Sequence, residues 1–273
     1  MATRLSPLRN TAELRKGTAW KLALLAALAN ASAPRVFTAR ELQHWVRAHR
    51  PSASTSTVFL VSELLVTAGA LHRVSSGIFL NLRAIPPAEL AEAARHLRNG
   101  AIISLHSVLG ESGFLNNPST VVTAVVPSSA DRRPRLGELR TSGGDIFRFY
   151  GLAEKFFPAN AREQEDLLQP GRACAVFRPE AALLQWLHLA ALKRSTLTTP
   201  PFDVDMDQLD ADLLNRLAGG WGLETQLREW QAAAEKANFG EPTERVVPLT
   251  LPSTQTQLAG QAARARLMAR RRS

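Results

Sequence analysis

TARELQHWVRAHRPSASTSTVFLVSELLVTAGALHRVSSGIFLNL, residues 38 to 82, decides the reading of this chain. Thr38 can cap a helix whose apolar positions Leu42, Trp45 and Val46 recur at helical spacing, and Pro51 stops it. The run Ser52-Ala53-Ser54-Thr55-Ser56-Thr57 leads into a second helix, with Val58, Val61, Leu64 and Leu65 as its expected buried stripe. Gly69 suits the left-handed position just past that helix. Leu71 to Val74 and Ile78 to Leu82 read as two strands joined at Ser75-Ser76-Gly77, with Gly77 expected at positive φ in a bulged hairpin. Two helices and a hairpin in this order are the core of a winged helix-turn-helix. In that fold the second helix meets the major groove of DNA with its N-terminal end.

Charge supports the same reading. Residues 1 to 100 hold 13 Lys/Arg against 5 Asp/Glu, whereas residues 101 to 259 hold 15 against 19. The anion-binding half is therefore the N-terminal one, and double-stranded DNA is the expected partner. Arg47, His49 and Arg50 close the first helix and its turn, beside the hydroxyls of Ser52, Ser54, Thr55, Ser56 and Thr57. One hydroxyl suffices for a cap, and a row of them can also donate to phosphate oxygens. Arg73, Ser75 and Ser76 on the hairpin flank the same surface. These eleven residues are the candidate DNA-binding set. Phe59 and Leu60 cannot both share the buried stripe, so one of them packs against a neighbour or meets a partner or a thymine methyl. The alternative is a winged helix that contacts protein, with its cations simply solvated.

The rest of the chain divides at composition shifts. Residues 1–17, with Arg4, Arg9, Arg15 and Lys16, read as a basic flexible arm, either a DNA-backbone contact or a plain tail. A first helix is expected over Thr18 to Ala29, so that residues 18–99 form the winged domain. Pro86-Pro87 should open a helix with Glu89 and Glu92 early and Arg95, His96 and Arg98 late, matching the helix dipole. Residues 100–239 read as a mixed α/β domain with a small sheet and several helices, and the whole chain as α+β. Its expected elements are a helix over Ile102 to Glu111 ending at Gly113 and a strand over Thr120 to Val126. Leu136 to Arg140 and Asp145 to Tyr150 should pair, Arg172 to Phe177 is another strand, and helices are expected at Pro179 to Lys193, Gln208 to Leu217 and Glu224 to Ala237. Residues 240–273 form an extended basic tail with Arg264, Arg266, Arg270, Arg271 and Arg272, readable as a solvated tail, a second phosphate contact or a docking segment.

Chemistry-bearing motifs are sparse. There is no Walker loop, GxGxxG, GxSxG or HExxH, and the six histidines are scattered, so no catalytic set, metal or cofactor is expected. Asp203, Asp205 and Asp207 mimic the start of a calcium loop, but Gln208 stands where its glycine belongs, so Asp207 reads as a helix cap. An acidic docking patch for a basic partner is the other reading. The lone Cys174 reads as a small buried hydrophobe, in keeping with a reducing cytoplasm. The apolar run Trp20 to Ala31 is too short to span a bilayer, so no membrane association is expected.

Three further segments carry a resemblance. Ile103-Ser104-Leu105-His106-Ser107-Val108-Leu109 runs on to Gly113-Phe114. Val121-Val122-Thr123-Ala124-Val125-Val126-Pro127 follows, and then Phe177-Arg178-Pro179-Glu180-Ala181-Ala182-Leu183-Leu184. Behind a basic winged helix-turn-helix, this order resembles the AbiE-type abortive-infection antitoxins of type IV toxin–antitoxin systems, over roughly residues 18 to 190. Ala181 stands where that family has Lys, and Gln185 where it has Asp. The resemblance implies a phage-defence protein that is not an enzyme. Its N-terminal domain would bind inverted repeats in its own promoter and repress the operon, with two copies meeting on DNA. Its C-terminal domain would counter a nucleotidyltransferase-like toxin, with or without touching it. A winged-helix regulator of another operon, with a ligand- or protein-sensing C-terminal domain, is the competing expectation.

Overall fold

The structure is a computed structural model that describes residues 11–116, 119–128, 135–141, 143–193 and 195–239. Arg4, Arg9, the loop residues Arg132 and Arg133 and the C-terminal arginines lie outside the described residues. The fold is α+β, with helices and two antiparallel or mixed sheets. Residues up to Ala234 form one compact unit, and those from Glu235 a second.

Helix α1 (Thr11–Leu28) starts seven residues before its expected position, so the anticipated arm is helical from Thr11 onward. Ala12 to Lys16 are strong helix formers, and Gly17 alone costs only about 1 kcal/mol. A three-residue strand, β1 (Val36–Thr38), follows; it is too short to register as alternation in the sequence. Thr38 then caps α2 (Ala39–His49): its hydroxyl accepts from the Glu41 amide at 3.3 Å, and the Glu41 carboxylate accepts from the Thr38 amide at 2.7 Å. This is a reciprocal capping box. Helix α3 (Thr55–Thr67) closes as expected at Gly69, φ 66°. Gly69 N–H donates to Val66 O at 3.0 Å and Ala70 N–H to Leu65 O at 2.9 Å, the paired bonds of a Schellman ending.

Strands β2 (Leu71–Ser75) and β3 (Ile78–Asn81) complete a three-stranded antiparallel sheet in the order β1-β3-β2. Gly77 does not take the positive φ expected of it. The register shift falls instead inside β2, between Arg73 and Ser75, so the bulge in the strand absorbs the offset. Gly77 O accepts from Ala39 N–H at 2.7 Å, tying the hairpin tip to the start of α2.

Both faces of this sheet are covered. Phe37, Leu71 and Phe79 pack with Leu24, Leu28, Leu42, Val46, Val58, Val61 and Leu65 of α1 to α3. Val74 and Leu80 lie in a second cluster with Ile103, Ala124, Phe147, Phe149, Val176 and Ala182. The anticipated boundary near residue 99 is therefore bridged by one apolar cluster within one compact unit.

After the prolines the chain makes a 3-10 turn (Leu90–Ala93) and a single-turn helix, α4 (Ala94–Leu97), in place of a continuous helix. The expected helix over 102 to 111 is a strand, β4 (Ile102–Ile103), and a short helix, α5 (His106–Glu111). Between them Leu105 has φ 58°, which no helix can include. Strands β5 (Val121–Pro127), β6 (Arg135–Arg140) and β7 (Ile146–Leu152) join β4 in a sheet ordered β4-β5-β7-β6, with β5 and β7 parallel. Residues 172–177 supply only isolated bridges, Ile103 to Val176 and Leu168 to Phe177, not a full strand.

Helix α6 (Ala161–Leu167), capped by Asn160, was not legible in the sequence. Helix α7 (Pro179–Ala191) begins at its proline as expected and is the central buried helix of this half. Asp205, not Asp207, caps the 3-10 turn Met206–Gln208, and Asp210 caps α8 (Ala211–Trp221). Gly219 and Gly220 lie inside α8, which ends at Gly222, φ 71°. Helix α9 (Glu224–Phe239) is the last described element.

Candidate nucleic-acid interface

The turn between α2 and α3 gathers much of the expected site. Ser54 is the cap of α3: its hydroxyl accepts from the Thr57 amide at 3.2 Å. The Ser56 and Thr57 hydroxyls lie 2.9 and 3.0 Å from the same oxygen. Ser52, Ser54, Thr55 and Ser56 are all exposed. The first turn of α3 thus presents a small hydroxyl cluster beside the helix's unpaired amides, which favours anions.

Arg47 is exposed and held beside this turn. Its Nε donates to Ala53 O at 3.3 Å. Gln43, with its amide oxygen turned inward, accepts from both terminal nitrogens at 2.9 Å. These partners are neutral, and no acid pairs with Arg47 among the described residues. His49 Nδ1 lies 3.0 Å from Trp45 O, which turns the ring back along α2. Arg50 lies over the Trp20 ring, 5.1 Å from its centroid, and so faces α1.

The hairpin residues are placed differently. Arg73 is bonded to Glu63, in the second half of α3, and sits 5.3 Å from the Phe79 ring centroid. Its charge is compensated within the fold, unlike that of Arg47. Ser75 is half-buried and Ser76 exposed at the hairpin tip. The first turn of α3 is thus joined to Arg47 but not to Arg73.

Helix α3 carries a second signal. Val58, Val61 and Leu65 are buried as expected, but Leu64 is 52% exposed. Phe59 and Leu60 are 61% and 63% exposed, so both of them face outward. Ser62 replaces Leu64 on the buried side and bonds back to Val58 O at 2.9 Å. Leu60, Leu64, Trp20 and the stem of Arg50 border a groove of about 410 Å³ between α1 and α3. Glu63 is the only charged residue of α3, so the outward face of this helix carries no cation, and Phe59, Leu60 and Leu64 make most of it apolar. Val58, Val61 and Leu65 of the expected stripe pack with Leu24 and Leu28 of α1, and Leu64 does not join them.

In the second half, Ala181 and Gln185 are fully buried in α7. Ser104 donates to Gln185, whose amide nitrogen donates to Phe156 O at 3.3 Å. A charge at either position would be buried in the core. Among the described residues no three His, Cys, Asp or Glu converge to hold a metal ion, and no helix is long and apolar enough to cross a membrane. No family model matches the sequence, and no curated protein is significantly similar to it.

Proposed function

We propose that residues 18–99 act as a winged helix-turn-helix that binds double-stranded DNA, and that the chain is a DNA-binding regulator. The observation that carries this reading is the first turn of α3: exposed hydroxyls and open amides, with Arg47 fixed beside them and unpaired by any described acid. Backbone phosphates would be held by this cluster and by the solvated cations of the N-terminal half, with Ser76 at the hairpin tip as a flanking contact. The segment order from Ile103 to Leu184 extends the proposal to an AbiE-type antitoxin. Such a protein would repress its own operon from inverted repeats and counter a nucleotidyltransferase-like toxin in the cytoplasm.

The test is a gel-shift titration on the DNA upstream of the reading frame, at several salt concentrations. Arg47→Ala should weaken binding and lower the salt slope by about 1. Arg73→Ala should leave the slope nearly unchanged, because Glu63 already compensates that charge. No salt-dependent binding by the intact protein would overturn the proposal. A reading frame for a nucleotidyltransferase beside this one would support the antitoxin extension, and its absence would favour a regulator of another operon.

A second reading has its own support. The outward face of α3 at Phe59, Leu60 and Leu64 suits a protein contact better than a groove contact, since DNA recognition helices ordinarily bring polar or cationic side chains to the bases. Leu60→Lys separates the two. Loss of self-association with DNA binding retained would assign that face to a protein contact.

A further inference from the structure

The four-stranded sheet has a cavity of about 310 Å³ on the face turned away from the N-terminal half. Its floor is Thr123 of β5 with Arg148 and Tyr150 of β7; His106 of α5 and Trp186 of α7 stand at its sides, and Thr198 is at its rim. Four separate elements and a loop thus bring polar side chains to one concave place, which is the ordinary form of a small-molecule site.

The walls are held in position by bonds within the fold that leave the Arg148 terminal nitrogens and His106 Nδ1 without a partner among the described residues. Trp186 Nε1 donates to Thr198 O at 2.8 Å, which fixes the indole. Thr123 Oγ1 donates to Ser104 O at 2.6 Å, beneath the floor. The His106 ring lies 5.8 Å from that of Trp186, at 44°. Leu105, immediately before His106, is held at φ 58°, a costly conformation for a side chain of its shape. His106 Nδ1 is buried without a hydrogen-bond partner, and burial, aided by the Arg148 charge, holds the imidazole below its usual pKa. Arg148 bonds to Glu138 through Nε alone, at 2.9 Å, and its terminal nitrogens make no other bond among the described residues.

The chemistry of this wall is selective. Among the described residues it holds one guanidinium, a neutral imidazole, several hydroxyls and an indole, and no carboxylate. A cation of this kind grips carboxylates through two parallel N–H bonds, and ring faces favour a flat apolar body. The volume is at the small end of ligand cavities, roughly 300 to 1,000 Å³, which excludes a peptide. We propose that this cavity binds a small planar carboxylate, gripped by the terminal nitrogens of Arg148 with its ring lying against the paired His106 and Trp186 rings. An occupant would bear on β7, whose opposite face carries Phe147 and Phe149 against Val74 and Leu80 of the hairpin. Asp145, immediately before β7, also meets His72 of β2 at 2.8 Å. The site lies away from α3, so its test is independent of DNA binding.

The experiment is a titration of the full-length protein with benzoate, and with benzamide as its neutral isostere, followed by saturation-transfer NMR. Benzoate should bind saturably and at least roughly tenfold more tightly than benzamide, the difference a charge-assisted bond makes. Arg148→Gln should abolish that preference. Because it also leaves Glu138 without this partner, Arg148→Lys is measured beside it: the charge near Glu138 is kept, the two-pronged grip is lost, and benzoate should again weaken. Absence of saturable benzoate binding, or equal affinities for benzoate and benzamide in the unaltered protein, would overturn the proposal without reference to any variant. Unchanged benzoate affinity in Arg148→Lys would overturn the grip assigned to Arg148.

Discussion

Cys174 and Asn81 have reactivity and stability set by neighbours far away in the chain. Burial pushes the Cys174 thiol up to about 11, with Glu92 adding to the shift and Arg172 opposing it. The reactive species is the thiolate, and a rise from the thiol's ordinary value of 9.0 to about 11 cuts its fraction near neutral pH by about 100-fold. Labelling by a disulfide reagent at pH 7.5 should therefore lag that of the unfolded chain by a similar factor; equal rates would contradict the burial. Asn81 is fully buried at the end of β3. Its amide nitrogen donates to Leu28 O at 2.8 Å and to Pro34 O at 3.1 Å, and its oxygen accepts from Arg83 N–H at 3.0 Å. Asn81→Ala leaves two buried carbonyls short of a donor and should cost about 2–4 kcal/mol in urea unfolding. Nothing in the string Phe-Leu-Asn-Leu marks this asparagine as a core residue, because its partners stand 53 and 47 positions away.

Elements whose determinants are local were the most legible. The Thr38–Glu41 capping box and the Gly69 ending of α3 lie within a few residues of the helices they bound. Thr38→Ala should cost about 1 kcal/mol near neutral pH. The Thr38 amide and hydroxyl hold the Glu41 carboxyl below its usual value. Its share of the capping is thus present above the ordinary carboxylate pKa and is lost as pH falls through the lower folded value. The cost of Thr38→Ala should accordingly shrink in acid unfolding curves, and a cost independent of pH would remove Glu41 from the cap. Elements that depend on distant pairing were less legible. Strand β1 exists because β3 accepts it, and β4 because β5 does, although each has three residues or fewer. The helix expected over 102 to 111 is broken at Leu105, at φ 58° and buried in one cluster with Val125 of β5 and Leu184 of α7.

Within the unit that ends at Ala234, the three-stranded sheet is covered on both faces. Val74 and Leu80 are buried only because Phe147, Phe149 and Ala124 lie beyond them. A fragment ending near residue 99 should therefore expose that face and self-associate through it, visible in size-exclusion chromatography as elution earlier, relative to its mass, than that of the full chain. Burial also lowers the pKa of His96, His106 and His188. The unfolded chain then takes up protons first, so stability is full above the unfolded value, about 6.5, and declines as pH falls from there toward the folded values. The melting temperature should drop between pH 7 and pH 5, and His188→Gln, at a ring packed 4.6 Å from Phe156, should flatten part of that drop. A melting temperature unchanged over this range would contradict the burial of these rings.

The sequence by itself determined the helices α2, α3 and α7, the hydroxyl caps of the first two and the proline start of the third, and the basic character of the N-terminal half. Those properties follow from hydrogen bonds three to five residues apart and from composition, which need no fold to be read. Tertiary structure alone decided the rest. It committed Arg73 to Glu63 and left Arg47 to the first turn of α3, though both were equal cations in the string. It turned Phe59, Leu60 and Leu64 outward, and it gathered His106, Arg148 and Trp186 around one cavity. The physical reason is common to all of these: the energy of each arrangement lies in contacts between side chains that only packing brings within a few ångströms.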